Sequence, residues 1–382
     1  MACKDDVRWW VEEAQKHPES AAAIVEELAE RLVELNAENE QLRDEIVRLR
    51  QPAPAAATAG QNGVGELDAL RERVATLQAL LSGKSSSEPS VVFVFGQLQA
   101  ARIVLSQAQR MTREARPVLN RSAMARMRCL VVARPQDDLF LLTSYGRGFK
   151  HPLLHVPPLP VEEGTGEWAE AGEPTLSPDE GLTAAVAVAE PPRFWTVVTR
   201  RGYVRSLLRI EVEIKCDKGA QVIESPFRRD VPVAIVDGDA DDLLVLTRWG
   251  QGIRFPQRTI EGPGSTALEL EPDDEVVAAL PLSSDSEVLI VTAAGLAARY
   301  NTAHIEAQTR PGGTGRALIR AFDVLAAFPY HAQAQLVYLT YSGKLIVAAT
   351  ENIPPYARLS KGTQVRSLDR DPAVAVGCVL GE

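Results

Sequence analysis

The sequence predicts an all-β six-bladed propeller preceded by an α-helical coiled coil, and three observations carry that prediction. Apolar residues keep heptad spacing from residue 25 to residue 49. Beyond residue 90 the apolar period changes from 3.6 to 2, and a strand–turn–strand pattern recurs about every 48 residues. A second element, a Leu and an Asp leading into an Ala-rich strand, recurs with the same period.

The zipper comes first. Positions a are Val25, Leu32, Asn39 and Ile46, and positions d are Leu28, Leu35, Leu42 and Leu49. Leu at every d favours two strands, and one Asn at a fixes register because two Asn amides satisfy each other in one alignment. In a parallel homodimer Glu38 would face Arg43 and Glu45 would face Arg50. The same helix packed against its own chain is the alternative. Residues 1–50 are therefore read as an N-terminal helix with a leucine-zipper-like coiled coil. Residues 51–65 are a Pro/Ala/Gly linker. Residues 66–82, with Leu67, Leu70, Val74, Leu77 and Leu81 at heptad spacing, are a short second coiled-coil helix.

The ring follows, over 90–382. Its five clear repeats place Thr143, Thr199, Thr247, Thr292 and Thr340 at spacings of 56, 48, 45 and 48. Gly146, Gly202, Gly250, Gly295 and Gly343 each follow three residues later, as a hairpin turn needs at a positive-φ position. A weaker copy, VVFVFGQLQAAR, lies 48 residues before the first, without the Thr and with its Gly shifted. Six hairpins imply six blades. The Leu/Asp element begins at 176, 270 and 318, upstream of a hairpin, and again at 368, where no hairpin follows. This predicts that the first hairpin and the last strand complete one unit together, so that the ring has no free edge.

The Thr-x-x-Gly hairpin, the basic residue after it and the Leu/Asp–Ala-Ala strand together resemble the C-terminal β-pinwheel domain of DNA gyrase A and its topoisomerase IV relative. The resemblance covers about 290 residues, 91 to 382. It implies a domain that binds duplex DNA around its rim, without sequence preference, and bends or wraps it without doing chemistry. The family's Gln-Arg-Arg-Gly-Gly-Lys-Gly box is nearest to Gln308-Thr309-Arg310-Pro311-Gly312-Gly313-Thr314-Gly315 here, with Arg316 beyond. The glycines are kept, one Arg and the Lys are Thr, and a Pro is inserted.

Charge sharpens the expectation. The chain carries 41 basic and 51 acidic residues, net −10, which argues against phosphate binding until it is partitioned. Residues 1–89 hold −7 of it and the ring −3. Arg102, Arg110, Arg113, Arg116, Arg121, Arg126, Arg128 and Arg134 face one acid, Glu114, within 100–134. This run is either a phosphate-contacting surface or a solvated strand-loop face. The post-hairpin residues Lys150, Arg205, Arg254 and Arg299, with Arg147, Arg200, Arg201 and Arg248 nearby, are expected to form a cationic arc. Residues 156–192 carry Glu162, Glu163, Glu167, Glu170, Glu173, Asp179, Glu180 and Glu190 without Lys or Arg. That insertion is an exposed acidic loop or an intramolecular competitor for the rim.

Other chemistry is not expected. With 45% hydrophobic and 24% charged residues, the composition excludes wholesale disorder, a collagen and a membrane bundle. Cys3, Cys129, Cys216 and Cys378 form no CxxC pair, so neither a disulfide framework nor a zinc knuckle is predicted. Trp9 and Trp10 run straight into Glu12 and Glu13 without the apolar core of a signal peptide, which gives a cytoplasmic expectation and no membrane partner. Asp237, Asp239, Asp241 and Asp242 lack the Gly and Glu of a calcium loop. His151 and His155 flank Pro152, Tyr300 sits in hairpin register, and no phosphate-binding loop or nucleophile elbow occurs. No cofactor and no catalytic residue is predicted, and a DNA-cleavage domain has no room. The expectation is a dimeric, non-catalytic DNA-binding ring. An accessory ring for a separate topoisomerase core and a protein-binding adaptor are the alternatives.

Overall fold

The computed structural model describes residues 88–96, 98–159, 176–283 and 286–380. The predicted coiled coil, linker and second helix lie outside the described residues. So do residues 160–175, with five of the eight acids of the 156–192 run.

Among the described residues the strands fall into six sheets. Each is built on a hairpin plus a strand that comes after it. Sheet 1 has β1 (Ser90–Phe95), β2 (Gln99–Val104) and β3 (Met127–Ala133). Sheet 2 has β4 (Asp138–Thr143), β5 (Gly148–Pro152) and β6 (Leu182–Val188). Sheet 3 has β7 (Phe194–Thr199), β8 (Tyr203–Leu208) and β9 (Pro232–Asp237). The hairpin of sheet 4, β10 (Asp242–Thr247) and β11 (Gln251–Pro256), is followed by the short β12 (Ser265–Thr266) and then by β13 (Val276–Leu282). Sheet 5 repeats this with β14 (Glu287–Thr292), β15 (Leu296–Asn301), the short β16 (Arg316–Ala317) and β17 (Val324–Pro329). The last unit has β18 (Gln335–Thr340), β19 (Leu345–Ala349), the short β20 (Pro355–Tyr356) and β21 (Thr363–Gln364), and β22 (Ala373–Val379).

The third strand corrects one expectation. The Ala-rich element does not serve the hairpin after it, as the spacing suggests, but pairs with the hairpin before it: β6 lies on β4 and β22 on β18. The first hairpin and the last strand therefore share no sheet. β1 pairs with β3, within its own unit. Sequence spacing is the same in both frames, so only the hydrogen-bond ladder separates them. Each ladder shifts register at the hairpin Thr, between Leu142 and Thr143 in sheet 2 and at the corresponding step in the others. In sheet 1 the shift falls at Phe95, and Leu98 takes the left-handed position that Gly fills elsewhere, with φ 59°.

The third strands touch in series, β3 to β6, β9, β13, β17, β22 and back to β3, which closes a ring. The connection leaving each hairpin reaches back one sheet. β12 pairs with β8, β16 with β11, and β20 and β21 with β15. Gln221 bridges Arg147 and Pro158 bridges Arg102 in the same sense. The connection after β2 does this across the seam. It forms helix α1 (Leu105–Glu114) and helix α2 (Arg121–Arg126); α1 packs on β19, and Pro117 bridges Lys344. Val91, Phe93 and Phe95 of sheet 1 share one core cluster with Val337, Leu339 and Val379 of the last sheet and Met111 of α1. Closure is thus hydrophobic, with fully buried side chains of this size each contributing roughly 1.5–3 kcal/mol.

Candidate nucleic-acid interface

The two recurring motifs meet at the hairpin turns. The Thr hydroxyl is buried and accepts the N–H four residues on, from Arg147 at 3.2 Å in sheet 2 and Tyr203 at 3.0 Å in sheet 3. It donates in turn to an acid two residues before the third strand, at 2.5 Å from Thr143 to Glu180 of the Leu/Asp element and from Thr199 to Asp230, which holds the same place outside the element's four copies. Asp230 also accepts the Arg201 N–H at 2.9 Å, Asp274 that of Trp249 at 3.1 Å, and Asp371 that of Ser342 at 2.9 Å. Glu180, read from the sequence as part of an exposed acidic loop, is therefore a buried structural carboxylate. At Asp371 burial acts to raise the pKa, but the Ser342 and Thr340 hydrogen bonds and the Lys344 charge outweigh it and hold the carboxyl below its ordinary range.

The post-hairpin cations do not form the expected outward arc. Lys150 pairs with Asp138 at 3.1 Å, Arg254 with Asp242 at 2.6 Å, and Arg299 with Glu287 at 2.6 Å. In each pair the acid opens the first hairpin strand and the cation lies two residues before that acid's cross-strand partner. Arg254 also donates to the carbonyls of Thr302 and Ile305, and Arg299 to that of Ile353, within the connection that reaches back from the next sheet. Arg299 further stacks 3.7 Å from the Tyr330 ring centroid. Arg102 is buried, and its Nε donates to Val156 at 3.0 Å in the same way. These side chains latch neighbouring sheets together. Arg205 is one residue out of register: Ser206, not Arg205, faces Thr196. A one-residue step turns a side chain to the opposite face, and the Arg205 Nε is buried without a hydrogen-bond partner among the described residues.

Half of the arginine run is helical: Arg110 and Arg113 lie on α1 and Arg121 and Arg126 on α2, while Arg116 joins the helices, Arg102 and Arg128 lie on strands and Arg134 follows β3. In α1 the apolar stripe of Ala108 and Met111 is buried, and Thr112 donates to the Leu345 carbonyl at 3.1 Å, fixing the helix on the last sheet. Asn120 caps α2 by accepting the Ala123 N–H at 2.8 Å. Arg110, Arg113, Arg116, Arg121, Arg126 and Arg128 all remain exposed, while Arg134 is half-buried. Glu114 approaches Arg116 no closer than 3.8 Å, with both side chains well exposed, so that pair neutralises little. Arg310 is exposed beside a cavity of about 630 Å³ lined by Gln308, Gly312 and Gly313. Arg316 is paired with Glu306.

Sequence reasoning left out Arg228 and Arg229. They are exposed and adjoin Arg200 and Arg201 through Asp230. No copy of the Leu/Asp element was legible there; it is the Asp230 hydrogen bonds that make 227–230 a turn partner of 199–202. Among the remaining polar groups, Tyr300 is buried on β15 with its hydroxyl accepting the Ser360 N–H at 3.2 Å, and burial raises its pKa. Asp242 is held by Arg254, and the His151 and His155 rings meet edge-on at 5.8 Å. Burial pushes the thiols of Cys129, Cys216 and Cys378 up to about 12, so they are inert at neutral pH.

Sheets closed into a ring, each extended by the connection that follows the next hairpin, are the β-pinwheel fold. The solved structure of the DNA gyrase A C-terminal domain matches with TM-score 0.61 at 16% identity, covering 77% of this chain and 100% of that one. The C-terminal domain of DNA topoisomerase IV matches with TM-score 0.53 at 17% identity, covering 77% and 94%. In sequence the chain is homologous to DNA gyrase A. It is 28% identical to that of Staphylococcus aureus over 263 residues, 64% of this chain and 29% of the relative. To those of Haloquadratum walsbyi and Deinococcus deserti it is 24% identical over 266 and 262 residues, again 64% of this chain and 30% and 32% of the relatives. The chain thus matches about a third of the length of these relatives. No family model matches it.

Proposed function

We propose that this chain is a non-catalytic DNA-binding protein. Its six-bladed ring contacts duplex DNA through the arm formed by α1 and α2, and bends or wraps it. The observation that carries this is the arm itself: six exposed arginines and one acid within residues 105–128, on a gyrase-A-like pinwheel. Cations without carboxylate partners are what neutralising a phosphate backbone requires. The reading places the protein in the cytoplasm with the chromosome. It joins two rings through the coiled coil of residues 25–49, which adds affinity by raising the effective concentration of the second site. A second reading, an accessory ring for a separate topoisomerase core, is favoured by the match to about a third of gyrase A.

The test is mobility shift of a duplex at two salt concentrations, with wild type and a variant carrying Arg→Gln at 110, 113, 116, 121, 126 and 128. Each contacted phosphate adds about 0.9 to the steepness of log affinity against log salt. The variant should lose up to roughly 5 from that slope. Absence of a wild-type shift at low salt overturns the reading and leaves the protein-binding adaptor, and an unchanged slope in the variant overturns the arm as the contact surface.

A further inference from the structure

Sheet 3 carries a second concentration of positive charge. Two loops bring it together: the hairpin turn Thr199–Gly202 and the run Phe227–Asp230 that precedes β9. Asp230 joins them, because its carboxylate accepts Thr199 Oγ1 at 2.5 Å, Ser225 Oγ at 2.6 Å and the N–H groups of Arg201 and Val231 at 2.9 and 3.0 Å. With both oxygens engaged in backbone and hydroxyl bonds, it fixes the two loops to each other, and its charge offsets one of the four arginines around it. Around it Arg200, Arg201, Arg228 and Arg229 are all exposed.

Their other partners are weak. Arg200 reaches Glu275 at 3.7 Å, Arg201 stacks 5.4 Å from the Phe227 ring centroid, and Arg228 and Arg229 have no carboxylate partner among the described residues. Arg229 is held at φ 58°, a conformation that strains a non-glycine residue and persists where the surroundings impose it. It lines an open cavity of about 750 Å³ with Arg147, half-exposed Tyr145 and the carboxylates Asp179, Glu224 and Asp230. Four arginines on two loops joined by Asp230 carry more charge than Asp230 and the loosely placed Glu275 offset, and phosphates would neutralise the remainder.

We infer that Arg200, Arg201, Arg228 and Arg229 form a second phosphate-contacting patch for duplex DNA, on the turn end of sheet 3. It lies two sheets around the ring from the arm, with the Arg147–Glu180 pair of sheet 2 between them. The inference rests on the DNA-binding reading. It adds that one ring grips the duplex at two separate places, which fixes the direction in which the duplex crosses the molecule.

The test compares the full chain with three variants on a 50-base-pair duplex across a fourfold salt range. The first carries Arg→Gln at 200, 201, 228 and 229, the second carries Lys at the same four positions, and the third is the arm variant. Four phosphate contacts are worth about 3.6 in slope, so the first variant should lose roughly 100-fold of the salt-dependent change in affinity. The Lys variant, which keeps the charge and the same backbone demands, should retain it. A first variant with the wild-type slope overturns this inference and leaves the arm reading intact. Loss there with no loss in the arm variant sustains the patch and overturns the arm. Loss in both Gln and Lys variants reports damaged folding at the turn and also overturns the charge argument. No binding by wild type overturns both readings.

Discussion

Gly343→Ala tests how the ring is shut. Gly343 lies in the turn of the last sheet at φ 81°, and its carbonyl accepts the N–H groups of Val118 and Leu119 at 2.7 and 3.2 Å from the connection between α1 and α2. A Cβ there would stand 2.1 Å from the Leu119 carbonyl oxygen. That carbonyl would have to retreat by at least about 1.3 Å to reach ordinary contact. Left-handed backbone costs alanine roughly 1–2 kcal/mol, and losing one of the two clasping hydrogen bonds costs about 1 more. The sum is a destabilisation of roughly 2–3 kcal/mol, read as a lower midpoint in urea by fluorescence of the buried Trp195. Two controls separate its parts. Gly312, at φ 107° with nothing within 4 Å of a Cβ, carries only the backbone cost, and Gly262, with open space and no positive φ, carries neither. The midpoints should therefore fall in the order Gly262→Ala, Gly312→Ala, Gly343→Ala. Equal loss at 312 and 343 would refute the clasp, since crowding against Leu119 would then be worth nothing.

Two further outcomes follow from the turns. Leu98→Gly removes the left-handed strain of sheet 1, worth roughly 1–2 kcal/mol, but also deletes a side chain only 3% exposed, worth roughly 2–5 kcal/mol in a packed core. Packing wins, so this variant should unfold more easily in urea, and a gain in stability would show that the strain dominates. The Asp371 carboxyl has its pKa depressed in the fold, so its contribution is present above the ordinary carboxylate range near 4 and is lost as pH falls through the lower folded value. The protection factor of the Ser342 amide, taken against the intrinsic exchange rate at each pH, should fall on that acid limb in wild type, and an Asp371→Asn variant with the same acid profile would count against the assignment.

The turn chemistry was legible because it is local. Thr and Gly three residues apart announce a hairpin wherever they recur, and the absent Thr and displaced Gly at 95–98 flagged sheet 1 as the odd copy. The Asp of the second element was visible as a repeat, but its bond to the Thr of the hairpin before it was not. Thr143 and Glu180 are 37 residues apart, and a single sequence carries no record of which neighbour an element serves. The same limit explains the cations. Arg254 and Arg299 look alike in sequence to any exposed arginine on a strand, yet each sits diagonally across from an acid and against carbonyls more than 45 residues away.

Residue types at short spacing were enough to define the repeat, its period of about 48 residues, the hairpin turns and the uneven division of a −10 charge. The local backbone reads such patterns directly, without reference to the rest of the chain. The pairing frame, the seam between the first and last sheets, and the choice of which arginines face solvent emerged only when the chain closed on itself. All three depend on contacts between residues distant in the chain. There, burial and hydrogen-bond partners, not residue type, settle whether a guanidinium latches two sheets or remains available for a phosphate.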